Sequence, residues 1–135
     1  MISFYLAARF GRREELCSYA IALRSKGFDI TSRWLMQAQK LDFSVGAYSP
    51  QDRLTFALKD WEDVGRAHRL IAFTEDPAEN AQGGRRGGRH VELGAALAMG
   101  KHVYVVGHRE NVFCHLPQVQ FYSTFYELYD NLPGL

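Results

Sequence analysis

Cysteine, net charge and long apolar runs are all scarce in this sequence, and each scarcity removes a class of protein. Cys17 and Cys114 are the only cysteines, and neither belongs to a CxxC pair. Two such residues cannot build a disulfide scaffold, and they fit a reducing compartment, so a cytoplasmic protein is expected. Sixteen Lys and Arg against fifteen Asp and Glu leave a net charge of +1. That near-balance gives no global electrostatic footprint for nucleic acid. The apolar opening, residues 1–8, lacks a basic leader and is followed by Arg9, Arg12 and Arg13. It falls well short of the roughly 20 residues a membrane span needs and reads as a first strand. Neither a nucleic-acid nor a membrane partner is expected.

Motifs are also missing. The loop after the first strand has no GxGxxG, and GxxxxGK[ST] and GxSxG do not occur. Redox Rossmann, P-loop and serine-hydrolase readings fall away. His68, His90, His102, His108 and His115 show neither HExxH nor paired ligand spacing, so no metal and no cofactor are expected.

What is present is a chain of 135 residues, 47% hydrophobic, which fits one domain over 1–135 without repeats or linkers. Apolar runs alternate with amphipathic stretches. Strands are predicted near 2–7, 28–34, 69–74, 102–107 and 119–122, and helices near 12–26, 52–67, 90–100 and from 124. That order implies an α/β fold: a parallel five-stranded sheet with helices on both faces. The runs Leu70-Ile71-Ala72-Phe73 and Val103-Tyr104-Val105-Val106 are continuous, as in strands covered on both sides. Thr124 followed by Glu127 predicts a capping box for the last helix.

Ligands of such sheets bind beyond the carboxyl ends of the strands. The loops there are rich in arginine and glycine: Arg9-Phe10-Gly11-Arg12-Arg13 after the first strand, and residues 75–90 after the third, with Arg85, Arg86, Gly88 and Arg89. Guanidinium groups and free backbone N–H groups hold phosphate or another anion, although such arginines also simply solvate loops. The second loop leads into a helix that opens with Glu92 and ends at Gly100. In that opening turn a carboxylate feels the positive end of the helix dipole, stays ionised and can act as a nucleophile, or it merely complements the dipole.

In the helix near 52–67, Leu54, Ala57, Leu58, Trp61 and Val64 form an apolar arc opposite Lys59, Glu62 and Arg66. Asp60 falls at the apolar edge, where a carboxylate needs a partner. It is either bonded to Arg53 or a backbone N–H, or it is an acid or substrate clamp near Glu92; Asp63, nearer the polar side, is the weaker candidate. Phe10, Trp34 and Phe43 are aromatics able to stack on a base, although core packing is the more usual duty of such residues.

Three stretches together resemble the nucleoside 2-deoxyribosyltransferase family and its 2'-deoxynucleoside 5'-phosphate N-hydrolase relatives. They are Tyr5-Leu6-Ala7-Ala8 with its Gly-Arg-Arg loop, Asp60-Trp61, and His90-Val91-Glu92-Leu93-Gly94 with the alanine-rich run to Lys101. The resemblance implies a flavodoxin-like sheet and a glutamate, Glu92, that attacks the anomeric carbon of a deoxyribosyl group. It implies a helix aspartate, Asp60, assisting at base or sugar, and a tyrosine, Tyr5, at the end of the first strand. Catalytic Glu92, Asp60 and Tyr5, and substrate contacts at Ala7, Arg9, Gly11, Arg12, Arg13, Arg85, Gly88, Arg89 and Asn111, are the expected site. The substrate is a nucleoside or its monophosphate, and a homodimer or larger homo-oligomer is expected, with residues 109–113 reaching across to a neighbour. The loop 75–88 is longer and more basic than the family's. Alternatives are a non-catalytic nucleotide sensor, or an N-glycohydrolase of a ribonucleotide or dinucleotide.

Overall fold

Buried residues run almost unbroken through the three central strands of a single parallel sheet, and the two edge strands are only partly buried. The computed structural model describes residues 1–36, 48–77 and 87–133. Phe43, Arg85 and Arg86 lie outside them. The strands are β1 (Ser3–Ala7), β2 (Asp29–Ile30), β3 (Arg69–Phe73), β4 (His102–Val106) and β5 (Val119–Tyr122), and the helices are α1 (Arg13–Ser25), α2 (Pro50–Arg66), α3 (Gly88–Ala98) and α4 (Phe125–Asn131). Every pairing is parallel, in the order β2-β1-β3-β4-β5. The order reverses between β1 and β3, which opens the crevice in which doubly wound sheets bind ligands.

Strand residues alternate between the two faces. Phe4, Leu6, Ile71 and Phe73 look one way, with Leu16 and Leu23 of α1 and Phe125 and Leu128 of α4 in the same core. Tyr19 stacks there on Phe125 and Phe73, with ring centroids 4.1 and 5.4 Å away. The other face carries Tyr5, Ala7, Leu70 and Ala72 and is covered by α3 through Leu93 and Ala96. Tyr5 lies in the middle of β1 rather than at its end, because Leu6 and Ala7 still pair with β3.

The second strand is shorter than predicted. After Ile30 the chain leaves the sheet, and Arg33–Met36 turn as a 3-10 helix. Side chains replace the missing ladder: Leu6 N–H donates to Ser32 Oγ at 2.9 Å, and Trp34 Nε1 donates to Leu6 O at 2.8 Å. Ser49 caps α2 in a reciprocal box with Asp52, and Pro50 opens the helix, which has no need of its N–H there. Only the Thr124 half of the expected box caps α4: Glu127 N–H donates to Thr124 Oγ1 at 3.2 Å. At the end of β4, Gly107 has φ +118°, and a Cβ there would meet Thr74 Oγ1 at 3.0 Å. Thr74 Oγ1 in turn bonds the backbone N–H and carbonyl of His108, each at 2.6 Å, fastening the ends of β3 and β4 together.

Of the apolar arc read on α2, only Val64 faces the core. Leu54, Leu58 and Trp61 are 49, 60 and 54% exposed, and the residues the helix buries are Asp63 and Val64. Asp63, expected near the polar side, is fully buried. Its carboxylate accepts Arg33 N–H at 2.9 Å, Arg33 Nε at 2.8 Å and Arg66 Nη2 at 2.9 Å. Two guanidinium groups offset the desolvation of one charge, so the inward edge of α2 is set by ion pairing. Among the described residues, no helix is long and apolar enough to cross a membrane.

Candidate active site

A carboxyl group and a hydroxyl meet on the face of the sheet covered by α3, and the charge of a second carboxyl, Asp60, reaches both. The Tyr5 hydroxyl, reaching up from β1, donates to Glu92 Oε2. Glu92 is not in the opening turn of its helix. The chain starts α3 earlier than the sequence pattern implies, at Gly88, because Gly87 adopts a left-handed conformation with φ +75° that a side-chain-bearing residue rarely takes. Glu92 therefore lies in the second turn, where the dipole of the helix start has largely faded.

The expectation of an ionised Glu92 changes accordingly. Burial raises its carboxyl from the ordinary 4.5 to about 8; the Tyr5 hydrogen bond opposes that rise, and the charge of Asp60 adds to it. Asp60 on α2 is raised to about 6 by burial and by Asp63, with Arg33 pulling the other way. Glu92 on α3 thus senses the charge of Asp60 on α2. Tyr5 is pushed far up, first by burial and then by Glu92 and Asp60, so it stays a neutral donor at any working pH. Asp60 makes no hydrogen bond to Arg53 or to any other described residue, and the bonded alternative for it falls away.

The described arginines of these loops gather beyond the carboxyl ends of the strands, and Arg9, Arg12 and Arg89 are each paired with a carboxylate. Arg9 Nε and Arg12 Nη1 reach the two oxygens of Glu75, each at 3.0 Å, and Arg12 also grips Glu15 with two bonds of 2.8 Å. Arg89 is buried and fork-bonded to Glu110, at 3.1 and 2.8 Å, rather than open to a ligand. Arg13, the first residue of α1, keeps a buried Nε without a partner. Ala7 is fully buried at the tip of β1, so it offers a ligand its backbone only. Gly11 makes room for Arg9, whose Nη1 would lie 2.6 Å from a Cβ at that position. Gly88 is exposed at the start of α3. Phe10 and Trp34 pack against each other, with ring centroids 6.0 Å apart.

Asn111 folds back on its own chain. Its Oδ1 accepts Phe113 N–H at 3.0 Å, and its amide lies 3.3 Å from His90 Nδ1. Arg109 lies over the Phe121 ring, 4.0 Å from its centroid. The sequence reading missed Glu75 and Glu110 as organisers of these loops; isolated glutamates in turns carry no local signal, because their partners lie tens of residues away. Among the described residues, no group of three or more His, Cys, Asp or Glu side chains converges as a metal site.

No family model matches the chain, and no curated protein matches it either. Solved structures do share its fold. A 2-deoxyribosyltransferase from the psychrotolerant bacterium Bacillus psychrosaccharolyticus superposes with a TM-score of 0.71 at 20% identity, covering 97% of this chain and 92% of that one. A CMP N-glycosidase from Clostridium botulinum gives 0.58 at 19% identity, covering 95% of each chain. A conserved protein from Enterococcus faecalis gives 0.60 at 18% identity, covering 96% of each. The chain therefore has the five-stranded parallel fold in which a deoxyribosyltransferase and an N-glycosidase are built.

Proposed function

We propose that this protein cleaves or exchanges the N-glycosidic bond of a 2'-deoxynucleoside or its 5'-monophosphate, through a covalent deoxyribosyl intermediate on Glu92. The observation that carries the reading is the Tyr5–Glu92 hydrogen bond, within reach of the Asp60 charge, in a fold shared with a 2-deoxyribosyltransferase and a CMP N-glycosidase. In the reaction, Glu92 attacks the anomeric carbon as the bond to the base breaks, and Asp60 delivers a proton to the departing base. Water or a second base then attacks the same carbon and releases Glu92. Positive charge grows on the sugar in both steps. A carboxylate held in a partly dry site attracts that charge more strongly than one in water, so the burial that raises Glu92 also serves the transition state.

Between pH about 6 and about 8 the carboxyl pair carries one proton and one charge. Displacement draws on the form with the proton on Asp60 and the charge on Glu92, which the higher midpoint of Glu92 makes the minor of the two singly protonated forms, present in constant proportion across that range. Tyr5 contributes a donor that orients Glu92 without ionising. Among the described arginines, Arg13 has an unused buried donor and is assigned to a 5'-phosphate, with Arg9, Gly11 and Arg12 of the same loop assigned to the rim. Residues Leu54, Leu58 and Trp61, one turn apart on α2, are assigned to contact with a second copy of the chain.

The test is incubation with deoxynucleosides and their monophosphates, with and without an acceptor base, following free base and new nucleoside by chromatography. Free base alone identifies a hydrolase, and an exchanged product a transferase. Glu92→Ala abolishes both in a folded protein; turnover retained in that variant refutes the mechanism. Ligand bound without turnover in the unmodified protein supports a sensor instead.

A further inference from the structure

Helix α3 begins without the usual fastening. Gly87 has no side chain to cap the first turn, and no acidic residue occupies that turn. What holds the start of the helix is Arg89, which is 4% exposed and bonded through Nε and Nη2 to both oxygens of Glu110. The same carboxylate accepts Glu75 N–H at 2.8 Å and lies 3.6 Å from His90 Nε2. Glu110 thus joins three segments beyond the strand ends: the loop after β3, the first turn of α3, and the loop after β4. Burial pushes its carboxyl up, but the Arg89 bonds and the Glu75 N–H outweigh that and hold it below 4.5.

Arg89 and Glu92 are three residues apart and share one side of the helix. A planar fork on a fixed carboxylate leaves Arg89 little freedom to slide or rotate, and its helix neighbours inherit that constraint. We propose that Arg89 and Glu110 are positioning residues, which set the rotation and axial depth of α3 so that the Glu92 carboxyl meets the Tyr5 hydroxyl. The inference rests on the reading of Glu92 as the reactive carboxylate, but the geometry it claims exists without substrate.

The experiment follows the Glu92 carboxyl by carbon NMR in ligand-free protein across pH, in parallel with thermal melting and, on substrate, kcat and KM. Glu110→Gln keeps an acceptor for Glu75 N–H and removes the charge. Arg89→Gln combined with Glu110→Gln removes both charges and leaves no unpaired ion buried. In either folded variant the Glu92 midpoint moves down by at least about one pH unit as water reaches the freed carboxyl, and kcat falls on the order of 10- to 100-fold with KM little changed. A lower melting temperature with an unmoved Glu92 midpoint overturns the proposal, because a purely structural clasp behaves so. A moved midpoint in a protein that cleaves no nucleoside or nucleotide supports the positioning and sinks only the proposed chemistry.

Discussion

Replacing Glu92 by Gln tests the electrostatic account of the site directly, because it predicts a stability gain that appears with rising pH. The carboxyl titrates at about 8 in the folded protein against 4.5 ordinarily. A group raised on folding stabilises fully below its unfolded value, and that contribution is lost as pH rises through the folded value. Here the loss runs from pH 4.5 to about 8. At 1.36 kcal/mol per pH unit the ceiling is about 5 kcal/mol. Glu92 is partly open to solvent and coupled to Asp60, so roughly half of that, about 2–3 kcal/mol, is the expected size. Glutamine keeps an acceptor for the Tyr5 hydroxyl and cannot ionise. Urea unfolding of both proteins at pH 5 and pH 9 isolates the effect as a difference of differences. Near pH 5 the two proteins have nearly equal stability; at pH 9 the variant is more stable by about 2–3 kcal/mol, or on the order of 10 °C in Tm. A stability difference that does not change with pH refutes the raised carboxyl and the protonation scheme built on it.

Other outcomes follow from the same geometry. The pH profile of kcat/KM is a bell with limbs near 6 and 8, since the pair must hold one proton and one charge; a profile flat from pH 5 to 9 contradicts this. Tyr5→Phe removes the bond that opposes the rise of Glu92, so the alkaline limb moves further up and kcat drops on the order of 10- to 100-fold; an unshifted limb shows that the hydroxyl does not act on Glu92. Leu58→Asp places a charge in the exposed stripe of α2, and sedimentation velocity is expected to show smaller particles than for the unmodified protein. Equal sedimentation of the two removes that stripe from the interface.

Much of the fold was legible because strands buried on both sides must be continuously apolar, and Leu70 to Phe73 and Val103 to Val106 are. The pairing of Tyr5 with Glu92 followed from a resemblance and not from spacing, since no local rule connects a strand tyrosine to a helix glutamate. The start of α3 was misjudged because a run of glycines and arginines offers no Ser, Thr or Asp cap to mark it, and the signal was the conformation of Gly87. The orientation of α2 was misjudged for a different reason. Hydrophobicity alone turns Leu54, Leu58 and Trp61 inward, whereas the structure turns Asp63 inward, and the compensating charge of Arg33 lies thirty residues upstream. The arginine-rich loops were visible as composition, but which arginines are already committed depends on Glu15, Glu75 and Glu110.

The contact between Tyr5 and Glu92 spans 87 positions of the sequence. Such a contact closes only after β1, β3 and α3 have come together, which makes it one of the more nonlocal links in the chain. A partly assembled chain carries a glutamate that titrates like any exposed one and a tyrosine free in water. Competence for chemistry and completion of folding are then the same event, and the carboxyl's own titration is an internal gauge of how much of a preparation has reached the native state.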